Sequence, residues 1–222
     1  MTDSLLTAPA TQRTPVVRHS PVGHLADQIA ATGSEQTVRL RETPYRAQAE
    51  LRVSPAEAEV ADRLASQFLG CPLPAPQRAS GAGNPWVLWA GPGWYLVVDE
   101  DPASTGWGLV SGLRCALGGE YGQICASVVD VSAQRTILEL RGPRARDVLS
   151  HGCALDLHPR EFRPGHYAQT HLAKATVGLL QTDTTPTYRI LVRCSYADYL
   201  ARWILDAMAE YVQVTNDQCA EK

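Results

Sequence analysis

The sequence predicts an α+β protein of two packed lobes, with antiparallel sheets covered by helices. Three observations carry this prediction. From Arg46 the signals run strand, helix, strand, strand, helix, strand, which is the order (βαββαβ) of a ferredoxin-like unit. Further strand-like runs follow without a linker, and the last leads into a long amphipathic helix. The 222 residues allow one large domain or two small ones, and no composition break separates independent domains. The expected division is a disordered tail at 1–19, a first lobe at 20–125, a second at 126–213 and a loose C-terminus at 214–222, with the seam near 125–135.

Residues 37–43 and 46–53 alternate as strands, with Pro44 between them. Ser54, Pro55 and Glu57 then suit an N-cap, the first helical position and the third, together a capping box. Val60, Leu64 and Phe68 follow on one helical face, and Gly70 and Pro72 stop the helix. Residues 71–85, rich in Pro, Ala, Gly and Ser, read as an exposed loop. The runs 86–91 and 94–100 flank Gly91-Pro92-Gly93 and read as a hairpin. A helix over 107–117 ends at Gly118-Gly119, and a strand follows at 123–131.

Residues 135–140 alternate as a strand, and Gly142-Pro143 opens a short helix that Gly152 closes. Beyond a loop at 158–166, strands are expected at 167–174, 176–182 and 187–193. Ser195 and Asp198 form an S-x-x-D box before the last helix. Its buried face should carry Tyr199, Leu200, Trp203, Ile204, Ala207, Met208 and Tyr211.

Composition excludes several function classes. Apolar residues are 45% and charged residues 19%, which rules out a chain disordered throughout. The net charge of −3 argues against non-specific nucleic-acid binding. No run of 18 apolar residues suits a membrane span, and the first twenty residues hold no apolar stretch of a secretory signal. The six cysteines are scattered without a CxxC pair. A cytoplasmic protein with reduced thiols is expected.

The motifs of common active sites are missing. Gly81-Ala82-Gly83 has Trp86 at the sixth position and no strand leading into it, so it reads as a loop rather than a dinucleotide fingerprint. There is no GxxxxGK[ST] and no G-x-S-x-G. His151-x-Cys153, His166 and His171 lack the paired spacing of a zinc site. Cys153 follows a helix C-terminus, which raises a thiol pKa rather than activating it. Trp86 and Trp89 must point to opposite faces of their strand, so either the second lobe or a partner has to cover one of them. Residues alone leave two classes open: an interaction subunit, and an enzyme whose site is not motif-encoded.

One resemblance narrows this. Ser127 to Leu149, with Asp130-Val131-Ser132 and Gly142-Pro143, is similar to the D-V-S…L-x-G-P-x-A…L stretch of the glycine-cleavage T protein, a tetrahydrofolate-dependent aminomethyltransferase. Gly152-Cys-Ala-Leu-Asp-Leu-His-Pro-Arg160, Phe162-Arg-Pro-Gly165, Ala168-Gln-Thr170 and Arg193 to Leu200 resemble the gamma subunits of heterotetrameric sarcosine oxidase. Ser20-Pro21 and Leu88 to Leu96 fit the same family. The resemblance implies a T-protein-like fold and a place beside alpha, beta and delta partners. It implies a complex that oxidatively demethylates sarcosine to glycine, releasing H2O2 and passing the one-carbon unit to 5,10-methylene-tetrahydrofolate or to formaldehyde. FAD, FMN, NAD, tetrahydrofolate and zinc would then sit on other subunits, with no catalytic, cofactor or metal residue on this chain. The T protein carries an Asp on the strand that here reads Ala175 to Gln181 without a carboxylate, so loss of folate chemistry is expected. The alternative is a stand-alone folate-binding or aminomethyltransferase-like protein, including the iron–sulfur repair type, from whose K-G-C-[YF] motif His151-Gly-Cys-Ala154 departs.

For a subunit whose work is contact, the candidate interface residues are Leu157, His158, Arg160, Phe162 and Arg163, with Trp86 and Trp89 as a second patch. Leu157 and Phe162 offer apolar anchors, and the arginines offer bidentate donors. The other reading is a conformational loop in which Pro159 and Pro164 only set the turn.

Overall fold

The computed structural model describes residues 18–118 and 124–217, with side chains through Val212. Most of the tail expected at 1–19 lies outside the described residues.

Two five-stranded antiparallel sheets stack face to face, and each carries helices on its outer face. The strands are β1 (Arg39–Thr43), β2 (Ala47–Val53), β3 (Ala79–Gly81), β4 (Trp86–Gly91), β5 (Trp94–Asp99), β6 (Ala126–Asp130), β7 (Arg135–Arg141), β8 (Tyr167–Leu172), β9 (Ala175–Asp183) and β10 (Thr187–Arg193). The helices are α1 (Ala26–Ala31), α2 (Ala58–Leu69), α3 (Gly106–Ala116), α4 (Ala145–Ser150) and α5 (Cys194–Asp217). The first sheet runs β3-β4-β5-β2-β6 and the second β1-β7-β10-β9-β8. Within the first, β2, α2, β4, β5, α3 and β6 make the expected ferredoxin-like unit, with β3 added at one edge.

The alternation along the strands explains the stacking. On β4, Val87 faces α2 and α3 while Leu88 faces the second sheet. On β7, Ile137 faces the seam and Leu138 faces α4 and α5. Leu96, Val98, Leu180 and Leu191 complete the seam. Gly178 on β9 leaves room for Tyr167, since a Cβ there would sit 2.5 Å from the phenol oxygen. Arg189 on β10 lies between Glu139 on β7 and Glu100 just past β5, with Nη2 donating to Glu100 Oε2 at 3.1 Å. This ion cluster, with side chains only 16–20% exposed, ties one sheet to the other.

The chain crosses between sheets at two places, and Gln48 joins them. Asp130 Oδ1 accepts from the Ser132 N–H at 2.9 Å and from its hydroxyl at 2.6 Å, closing a turn after β6. The Ser132 oxygen accepts from the Gln48 N–H at 3.0 Å, and the Gln48 side chain donates to the Arg135 carbonyl at 2.9 Å. The D-V-S motif therefore builds the passage from one sheet to the next. Gly106 belongs to the same arrangement, because a Cβ there would meet the Asp130 carboxylate at 2.2 Å.

The structure corrects several expectations. Residues 20–43 do not belong with the first lobe: β1 pairs with β7, and Val22, Leu25 and Ile29 pack into the second lobe's core. The strand 126–130 belongs to the first sheet, not the second, because it pairs with β2. The loop at 71–85 contains β3, which pairs with β4. The buried stripe of α2 is Ala61, Ala65 and Leu69, one position on from Val60, Leu64 and Phe68. Small alanines let the helix approach the sheet closely, and the exposed Phe68 ring lies instead against Gly112 of α3. Neither capping box forms. Glu57 accepts from the Cys125 N–H at 2.7 Å, and Asp198 turns to His24 Nε2 at 2.6 Å and to Arg202. Both carboxylates have non-local donors in reach, which compete with a local cap. Helix α5 continues to Asp217, so part of the segment expected to be loose is helical.

Two outcomes follow for stability. Replacing Arg189 with Ala leaves two carboxylates facing each other in the seam, and should cost about 3 kcal/mol. Thermal unfolding should then fall by roughly 6–12 °C. Burial pushes the Tyr167 phenol up to about 12. The folded state therefore holds that proton where the unfolded chain has lost it, and stability from this group declines as pH rises from about 10 to 12. Tyr167→Phe should flatten that decline in denaturant titrations across this range.

Candidate interaction surface

The interior was tested first as a place for chemistry. Between the sheets, Trp86, Leu88, Ile137 and Leu191 surround a space of about 10 Å³. A small-molecule site needs on the order of 300 Å³ or more. Strand β9 sends Val177 and Leu179 into the helix-covered core and Leu180 into the seam, and its carboxylate, Asp183, is exposed at the strand end. Among the described residues no group of three His, Cys, Asp or Glu side chains is placed to hold a metal ion.

The loop 156–163 is built from the inside outwards. Leu157 and Phe162 are buried in the second lobe's core, and the Phe162 ring stacks on Tyr188 with centroids 6.4 Å apart. Asp156 accepts from the His158 N–H at 2.8 Å, and His158 Nδ1 accepts from the Arg160 N–H at 3.2 Å. The Glu161 and Phe162 N–H groups both donate to the His158 carbonyl at 2.9 Å. Arg163 Nε donates to the Arg160 carbonyl at 2.8 Å. The two readings of this loop thus divide among its residues. Leu157 and Phe162 anchor its conformation, while His158, Arg160 and Arg163 stay exposed on the outside.

This loop ends at the corner where the sheets meet. The Ala79 N–H donates to the Gly165 carbonyl at 2.8 Å, and the Tyr167 N–H to the Gln77 carbonyl at 3.2 Å. Arg78 is thereby paired across the corner with His166. Burial, then the nearby Arg78 and Arg163 guanidiniums, hold the His166 imidazole below its ordinary pKa. Sequence reasoning placed Arg78 in a Pro-rich loop, and no local pattern could bring it beside residues more than eighty positions later.

For the tryptophans, the second lobe supplies the cover. Trp86 packs against the seam and is covered by the second lobe, and Trp89 is half-buried. The exposed one is Trp107, at 74%, in the first turn of α3. It lies at the mouth of an open groove of about 730 Å³ between α3 and β6. Across that groove Arg114 donates to the Val128 carbonyl at 2.8 Å, which covers part of the edge of β6. The only sequence signal for Trp107 was its place at a helix start between two glycines.

Residues 53–210 match the model of the sarcosine oxidase, gamma subunit family. The chain belongs to this family. The sarcosine oxidase subunit gamma of Corynebacterium sp. (strain U-96) is 37% identical over 198 residues, covering 88% of this chain and 92% of that one. The same subunit of an Arthrobacter species is 37% identical over 199 residues, covering 90% and 94%. Among solved structures, a chain of the heterotetrameric sarcosine oxidase of Corynebacterium sp. U-96, in complex with pyrrole 2-carboxylate, superposes with a TM-score of 0.76. It is 36% identical, and the match covers 88% of this chain and 96% of that one. The glycine cleavage system aminomethyltransferase T of Bartonella henselae shares the fold at a TM-score of 0.57 and 14% identity, with 56% of that chain covered. The T-protein-like architecture and the gamma-subunit resemblance expected from the residues both hold. No helix among the described residues is long and apolar enough to cross a membrane.

The division between anchors and surface can be measured. Phe162→Ala should cost about 3–5 kcal/mol in chemical denaturation, because it empties a packed core position. Arg160→Ala should change stability by no more than about 0.5 kcal/mol.

Proposed function

We propose that this chain is the gamma subunit of a heterotetrameric sarcosine oxidase and serves that enzyme by contact rather than by chemistry. Its partners are the alpha, beta and delta subunits. The complex oxidatively demethylates sarcosine to glycine with O2, yielding H2O2 and 5,10-methylene-tetrahydrofolate or formaldehyde. The observation that carries the reading is the identity of 37% across nearly the full length of gamma subunits. In this reading FAD, FMN, NAD, tetrahydrofolate and zinc belong to the other subunits. The five described cysteines are free, in keeping with a reducing cytoplasm.

The test is purification of an affinity-tagged copy from its own host. A yellow complex with three further chains and sarcosine-dependent peroxide release is the expected result. A colourless lone protein of 24.1 kDa that binds tetrahydrofolate in a calorimetric titration would overturn the proposal in favour of a stand-alone folate protein.

A further inference from the structure

Arg78, Arg160 and Arg163 are all exposed and belong to one corner of the molecule, where the two sheets are bonded to each other. They come from both lobes: Arg78 lies just before β3, and the other two lie in the loop leading to β8. Arg78 pairs with His166, the His166 N–H donates to the Arg163 carbonyl at 2.9 Å, and Arg163 is tied to the Arg160 carbonyl, which places the three within a single patch.

Two features suit this corner to contact. The first is a group of exposed guanidiniums outside any ion pair, a condition that Arg63 and Arg193 meet singly and that three arginines meet together here. Arg39, Arg41, Arg52, Arg144, Arg189 and Arg202 each have a carboxylate at ion-pair distance. Among the described residues none stands at that distance from Arg78, Arg160 or Arg163, although Asp156 and Glu161 belong to the same loop. Arg78, Arg160 and Arg163 set against Asp156 and Glu161 leave the corner one positive charge in excess, on a chain that carries −3 as a whole. The second feature is rigidity. Leu157 and Phe162 fix the loop in the core, Pro159 and Pro164 restrict its backbone, and the Arg163 side chain is tied to the Arg160 carbonyl. A guanidinium held in place, as that of Arg163 is, binds a carboxylate without a large ordering cost.

From this geometry we infer that the Arg78–Arg160–Arg163 corner is the docking face of the chain, and that it receives a carboxylate-rich surface of a larger subunit. The inference rests on the subunit reading above and adds which face is used and what chemistry meets it. Docking there would grip both sheets at a place where they share backbone hydrogen bonds.

The experiment is co-expression of the tagged chain with the other subunits of its complex, followed by affinity purification at increasing salt. The variants are R78E, R160E and R163E, singly and combined. The combined Lys variant tests shape against charge, and R39E/R41E on β1, the opposite edge of the second sheet, is the control. The triple Glu variant should melt close to the wild-type temperature and lose at least about tenfold in partner affinity. The Lys variant should retain part of the binding, the control should retain all of it, and salt should strip the wild-type complex. If the triple variant unfolds, the single reversals and the wild-type salt series decide. Full partner recovery by the single and triple reversals at all salt concentrations would overturn the docking face while leaving the subunit reading intact. Failure of the wild-type chain to recover any partner would overturn both.

Discussion

The rest of the structure depends on the packing of two sheets directly against each other. Leu88, Leu96 and Val98 from one sheet meet Ile137, Leu180 and Leu191 from the other, and helices are left only the outer faces. Burying both faces of both sheets explains why strands such as β9 read as nearly continuous apolar runs. It also explains the Arg189 cluster, where a charge within the seam is matched by a carboxylate from each sheet.

The same packing fills the seam. The close-packed interface between the sheets encloses a space of only about 10 Å³. The Asp130-Val131-Ser132 motif turns the chain from one sheet to the other through Gln48.

The candidate site was only partly legible. The loop 156–163 was visible as a mixture of apolar anchors and arginines. Which of them faced inward was not, because a loop has no periodicity from which a face can be read. Leu157 and Phe162 turned into the core and the charged residues stayed outside. The Trp86 question had the same form: alternation showed that its face differed from that of Trp89, but only the position of the second sheet showed what covers it.

The sequence by itself determined the strand and helix order from Arg46 to α5 apart from β3, the ferredoxin-like unit and the family. These rest on local alternation, helical spacing and strings of matched residues. Tertiary structure decided the rest. It moved residues 20–43 into the second sheet and brought Arg78 beside Arg163. It drew Glu57 and Asp198 away from their local caps. The reason is physical: an edge strand will pair with any free edge of matching register, and a charged side chain turns to the best donor in reach. Both choices are made between segments far apart in the chain, where no local pattern records them.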